Sequence, residues 1–186
     1  TASVLVLLIG VVLSLAAQDL RFIEYDTDLL PPEEFRERRE RLMQEMGTAS
    51  VALFFSAPQK IRNGDVEYPY RQDDNFLYLT GFPESGSILL LAPEGIAVKD
   101  PADSTRMRTV REVLFVQPRN PRRETWTGRR YGPEGAVQLR GIAFAVPVSD
   151  FPAYVRRAVF GTRPKIVYLP AGTLEADGEL AESALV

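Results

Sequence analysis

Between residues 50 and 169 the chain passes again and again through short, continuous apolar stretches bounded by turn residues. Ser50 to Ser56 reads Ser-Val-Ala-Leu-Phe-Phe-Ser, too short for a core helix and apolar on both alternating faces. A continuous apolar run of that length reads as a buried strand. The same reading predicts strands at Phe76–Thr80, Ile88–Ala92, Val113–Gln117, Ile142–Val146 and Lys165–Leu169. Helical signals fall between them. Pro31-Pro32-Glu33-Glu34 opens a helix, because proline suits the first turn and acids there complement the dipole. Phe35, Leu42, Met43 and Met46 give that helix its apolar stripe, and Gly47 ends it. The charged run from Glu37 to Arg41 reads as its solvated face. Pro133 to Leu139 predicts a short helix stopped at Gly141, and Ser149 is placed to cap another from Asp150 to Phe160. Gly81 to Gly86 is a turn, residues 93–110 a polar surface loop, and Pro118 to Tyr131 an arginine-rich irregular stretch. Strand and helix interleave, so the fold class is α/β.

Composition narrows the chemistry. The 186 residues contain no Cys and no His. That excludes disulfides, thiolate metal sites, cysteine nucleophiles and a Ser-His-Asp triad. Any chemistry in the chain itself would run on carboxylates, Lys, Tyr, Ser or Thr. A net charge of -3 gives no global basic field for nucleic acid. Residues 4–13 are wholly apolar, and the run extends uncharged to Ala17, short of the ~20 residues a spanning helix needs. With small residues around Ser14-Leu15-Ala16, residues 1–17 read as a secretory signal peptide with a clipped start. A retained anchor and a buried segment are the alternatives. Residues 18–31 then form an irregular acidic lead-in, and the mature protein is expected to be secreted or periplasmic, off the membrane once the signal is removed.

Two constellations could carry function. The first is Glu67-Tyr68-Pro69-Tyr70-Arg71-Gln72-Asp73-Asp74-Asn75-Phe76, where Tyr68 and Arg71 are the binding candidates. Its oxygen donors lack the alternation and the downstream bidentate Glu of a calcium loop. The bland reading is a structural loop with Arg71 tied to a nearby carboxylate. The second is Trp126-Thr127-Gly128-Arg129-Arg130-Tyr131-Gly132, holding the single Trp beside a basic pair. From Arg106 to Arg130 there are eight Arg against two Glu, a local charge of +6. Trp126, Arg129 and Arg130 suit a substrate edge or a subunit interface, since Trp and Arg are common interface anchors. The bland alternative is a packed Trp. Gly-rich phosphate loops, a nucleophile elbow and a metalloprotease helix motif are all missing.

At these constellations the chain resembles the N-terminal domain of aminopeptidase P, the Xaa-Pro aminopeptidases, in the creatinase/prolidase superfamily. The resemblance rests on Glu67 to Gln72 followed by Asp74 to Phe82, on Trp126 to Ala136, and on the helix Phe35 to Leu42 leading to the strand at Ser50. It implies a mixed sheet of the creatinase/prolidase N-terminal type, ribonuclease H-like, over residues 32–170. It implies a parent hydrolase that releases an N-terminal residue preceding proline, acting on proline-containing peptides, as a homo-oligomer. In that family two manganese ions sit in a separate C-terminal domain on Asp, His and Glu ligands. Trp126 would then be the aromatic at the active-site entrance. A chain without His cannot complete such a metal set, so no catalytic or metal residue is assigned here. Residues 171–186 would begin the connection to the catalytic domain, and the loop from Gly95 to Glu112 departs from the compact family pattern. A free-standing interaction module, or the same domain of an Xaa-Pro dipeptidase, remain as alternatives.

Overall fold

The computed structural model describes residues 30–100 and 105–170. The expected signal peptide, most of the lead-in and the C-terminal connection lie outside the described residues. Helix α1 (Pro32–Met46) starts where the Pro-Pro-Glu-Glu run requires, with Glu33 and Glu34 in its first turn. Strands β1 (Ser50–Phe55), β4 (Ile88–Lys99), β5 (Met107–Val116), β6 (Ala145–Pro147) and β7 (Ile166–Tyr168) form one sheet in the order β6-β5-β4-β1-β7. The three central strands are antiparallel, whereas β7 joins β1 and β6 joins β5 in parallel. Strands β2 (Ile61–Asn63) and β3 (Val66–Glu67) make a separate exposed ribbon.

Alternation along the strands explains why their sequences are apolar throughout. Ala52, Leu89, Leu91, Leu114 and Val116 point to one face, under α1, helix α2 (Asp74–Thr80) and helix α4 (Gly132–Arg140). Val51, Leu53, Leu90, Val113 and Phe115 point to the other. That face is closed by a helix α5 (Phe151–Arg156), whose Phe151 and Tyr154 meet the Phe115 ring edge-on at 5.2 and 5.6 Å. A sheet covered on both faces has no need of polar alternation.

Several expectations are corrected. Phe76–Thr80 is part of helix α2, not a strand. Asp73 Oδ1 accepts from Phe76 N at 2.8 Å and caps it, and Phe76, Leu79 and Thr80 bury one helical face. Residues 93–110 are largely sheet: β4 and β5 stay paired from Ile88↔Phe115 to Lys99↔Met107, with Pro93 and Gly95 absorbed in a bulge between Leu91 and Ile96. Residues 118–131 contain helix α3 (Pro121–Thr127), capped by Asn120 Oδ1 accepting from Arg123 N at 3.3 Å. Ile142 and Phe144 are buried, but only Ala145–Pro147 enter the ladder. Ser149 lies inside the short 3-10 turn Val148–Asp150 and reaches the Asp150 carboxylate instead of capping α5.

The solvated-face reading of Glu37 to Arg41 fails at one residue. Arg39 is fully buried, in line with Phe35 and Met43 at steps of four. Its Nε and Nη2 donate to both carboxylate oxygens of Glu112 at 2.7 and 3.1 Å. Nη1 and Nη2 also donate to the carbonyls of Leu79 (2.9 Å) and Gly141 (3.0 Å). Glu112 Oε1 accepts a further bond from Ala143 N at 2.7 Å. One ion pair thus ties α1, α2, β5 and the end of α4 together.

Candidate functional site

The second constellation is built on α3 and the turn after it. Asn120 and Glu124 start the helix reciprocally: Asn120 accepts from Arg123 N, and Glu124 Oε1 accepts from Asn120 N at 2.9 Å. Arg119 grips the same carboxylate through Nε and Nη2 at 3.4 and 3.2 Å. Burial alone would raise the Glu124 carboxyl, but Arg119, the Asn120 N–H and the field of Arg129 together hold it below its ordinary value. Trp126 lies on this helix with 90% of its surface exposed, so it fills no core among the described residues. Gly128 follows at φ 80° and turns the chain so that Arg129 and Arg130 come next on the rim.

Tyr131 anchors the far side of that turn. It is buried, its ring packs on Phe82 at 5.3 Å, and Arg140 Nη2 donates to its hydroxyl at 2.6 Å. Its backbone N–H donates to Glu84 Oε1 at 2.8 Å. Burial raises the Glu84 carboxyl above its ordinary value, while the Tyr131 N–H and the charge of Arg130 work against that rise. Each arginine of the basic pair therefore sits in the field of a carboxylate, Arg129 with Glu124 and Arg130 with Glu84.

The first constellation behaves differently. Arg71 pairs with Asp74 at 3.3 Å, both side chains more than four-fifths exposed, a geometry worth little free energy. Tyr68 is half exposed beyond β3. Its backbone donates to Lys60 O, and its carbonyl accepts from Gln59 Nε2 at 3.0 Å. The organising residue is Gln72. Its Oε1 accepts from Ala57 N (2.8 Å) and Asp73 N (2.9 Å), and its Nε2 donates to the carbonyls of Phe82 and Glu84, both at 3.1 Å. The Tyr70 hydroxyl lies 2.9 Å from both Gln72 Oε1 and Ala57 O and donates to one of them; burial pushes its pKa up.

Gln72 and Glu84 thus join the two constellations. Gln72 holds the backbone of the 82–84 turn, and Glu84 in that turn holds the backbone after Arg130. Sequence reasoning placed both residues in its motifs and turns without giving either a role. The only local signal was a Gln between charged residues, since the partners that tie it to the rest of the fold, Ala57, Phe82 and Glu84, are 10 to 15 residues away and Glu84's is 47 away.

A five-stranded mixed sheet flanked by helices is the architecture of aminopeptidase P N-terminal domains. It superposes on aminopeptidase P from E. coli with the inhibitor Pro-Leu with a TM-score of 0.64 and 33% identity, over 80% of this chain and 31% of that one. For Pseudomonas aeruginosa aminopeptidase PepP the TM-score is 0.62 and the identity 36%, over 77% and 29%. The model of the family "Aminopeptidase P, N-terminal domain" matches residues 35–168, and the chain belongs to that family. It is 36% identical to the Xaa-Pro aminopeptidase of Haemophilus influenzae over 157 residues, covering 84% of this chain and 33% of that protein. To the Escherichia coli K12 Xaa-Pro aminopeptidase it is 34% identical over 153 residues, covering 82% and 32%. The chain spans about a third of the length of the curated relatives it matches.

The metal implied by the family can be tested against the residues present. Among the described residues no group of three His, Cys, Asp or Glu is placed to hold a metal ion, and the sequence has no His or Cys to supply. These residues do not fit a two-metal centre.

Proposed function

We propose that the chain is the N-terminal, non-catalytic domain of an exported Xaa-Pro aminopeptidase that acts on proline-containing peptides. In this reading, two manganese ions belong to another domain of the parent enzyme. The role of residues 30–170 is to shape the entrance to the site and to build the homo-oligomer. The observation that carries the reading is Trp126: a side chain this large and 90% exposed, on a helix capped at its start and pinned beyond its end, is arranged for contact with something outside the domain. Arg129 and Arg130 beside it supply donors for peptide carbonyls or carboxylates. Tyr68 and Arg71 contribute an aromatic and a cation from the neighbouring loop.

The test is Trp126→Ala in the full-length enzyme, with an Xaa-Pro tripeptide as substrate and the oligomer followed by light scattering. The expected result is a fall in kcat/KM of about tenfold or more, or a smaller assembly, with melting of the domain unchanged within about 0.5 kcal/mol as for other exposed substitutions. Unchanged kinetics together with unchanged assembly would remove the entrance reading. Export is tested separately by fusing residues 1–20 to a reporter active only outside the cytoplasm; a silent reporter would oppose it.

A further inference from the structure

Three arginines from two elements line one hollow of about 350 Å³ between α1 and β5. Arg36 comes from α1, and Arg108 and Arg111 come from β5. Arg108 is fixed in place. Its guanidinium carbon lies 4.8 Å from the centre of the Phe144 ring, and Nη2 donates to Ala143 O at 3.2 Å. Its Nε–H is buried with no acceptor, an unsatisfied donor of a kind that native proteins rarely leave. Arg36 and Arg111 are exposed and make no hydrogen bond or ion pair among the described residues. Two carboxylates also line the hollow, and neither neutralises it. Glu112 is already bonded by Arg39 through both oxygens. Glu40 stands one helical turn after Arg36, the less favourable order for such a pair, and no ion pair forms between them. With Arg39 and Glu112 cancelling, three positive charges face one negative charge, a local balance of +2.

We propose that this hollow binds a phosphate group, free or carried by a small molecule. A phosphate dianion matches the local balance of charge, and a neutral ligand would leave it unmet. Guanidinium forks match phosphate oxygens in geometry as well as charge, which is why arginine recurs where phosphate is recognised. Arg108 gives the site a fixed wall, since its stacking and its bond to Ala143 O hold it before any ligand arrives. Arg36 and Arg111 reach the anion from the helix and from the strand, and the Thr109 hydroxyl, also in the lining, adds a neutral donor. A hollow of about 350 Å³ seats phosphate and a substituent of a few heavy atoms. Bound there, the anion bridges α1 to β5 beside the Arg39–Glu112 pair. The hollow shares no residue with the Trp126 rim, so the inference does not depend on the peptidase reading.

The test is calorimetric titration of the 186-residue chain with inorganic phosphate. It is run at about pH 8, where phosphate is a dianion, in about 50 mM NaCl to limit screening. The expected result is saturable binding with a dissociation constant of about 1 mM or below. Arg36→Gln and Arg111→Gln should each weaken binding about tenfold or more, since each removes a charge-assisted contact. Neither side chain has a partner to lose among the described residues, so the melting temperatures of both variants should match the parent's. Glu40→Gln removes the one opposing charge and should tighten binding about threefold. Arg122→Gln, on exposed α3 surface, should leave it unchanged. Glycerol 3-phosphate separates the sources: tighter binding than phosphate assigns the hollow to phosphate esters, weaker binding to the free ion. No saturable binding up to about 20 mM phosphate overturns the proposal. Binding that survives both arginine substitutions also overturns it. Malonate, a dicarboxylate, binding as tightly as phosphate overturns the phosphate assignment.

Discussion

Removing either partner of the Arg39–Glu112 pair should destabilise the domain more than any surface substitution. In Arg39→Met the helix keeps an apolar side chain of similar length, but Glu112 loses both guanidinium bonds, at 2.7 and 3.1 Å, and keeps the Ala143 N–H. Leaving one charge of a buried pair uncompensated costs about 3–5 kcal/mol. The Leu79 and Gly141 carbonyls also lose their donor, adding on the order of 1 kcal/mol each where water cannot replace it. Against a total of about 5–15 kcal/mol for a domain, that is a large share. The double variant Arg39→Met/Glu112→Leu removes the stranded charge while leaving the orphaned backbone groups. It should therefore be about 2 kcal/mol or more better than the sum of the two single variants. Urea denaturation of the 186-residue chain measures all four proteins, with a common slope as the check on two-state behaviour. Single variants costing less than about 1 kcal/mol, or a strictly additive double, would refute the claim that this pair ties four elements together.

Two further perturbations follow from the same geometry. Because burial raises the Glu84 carboxyl, the folded state binds its proton more tightly than the unfolded one. The resulting stabilisation is complete below the ordinary carboxylate range and is lost as pH rises through the raised value. Glu84→Gln keeps an acceptor for Tyr131 N–H without that loss. It should gain on the parent in melting temperature from pH 4 to 7, and parallel melting curves would count against it. Gly81 ends α2 at φ 60°, and a Cβ there would lie 2.5 Å from the Phe35 ring. Gly81→Ala should cost about 2–4 kcal/mol, the sum of left-handed backbone strain and forced repacking of a buried ring; a thermal shift within a degree of the parent would contradict it.

The sheet was legible because both its faces are covered. Strands such as Ser50–Phe55 carry an unbroken apolar signal that no solvated strand would show. The same rule misled at Phe76–Thr80. That segment is also apolar from Phe76 to Leu79, although Leu77 and Tyr78 are exposed, and the Asp73 cap and the left-handed Gly81 at its ends distinguish it as a helix. Pro93 and Gly95 read as strand breakers because a bulge and a loop have the same local sequence; the pairing that separates them comes from β5. Arg39 was hidden inside a charged run, though its spacing of four from Phe35 and Met43 was visible. The aromatic and arginine rim was legible as a composition and as a family resemblance. Its supports were not, since Gln72 and Glu84 act through partners far along the chain.

Those supports explain how an exposed rim can hold a fixed shape. A large side chain with 90% of its surface in solvent gains almost nothing from its own packing, so its position must be set by the backbone beneath it. Before Trp126 the backbone is set by the Asn120–Glu124–Arg119 cluster, and after Arg130 by Tyr131, which is held from three directions: Glu84, Phe82 and Arg140. The turn carrying Glu84 is in turn bonded to Gln72, which belongs to the Tyr68–Asp74 loop. The two sequence hallmarks are therefore one mechanical unit, with partly buried polar bonds fixing a surface that has little cohesion of its own. A change at Gln72 should reach Trp126 through the 82–84 turn and Tyr131. The shift it transmits would exceed that of any change at the solvent-exposed Arg71–Asp74 pair.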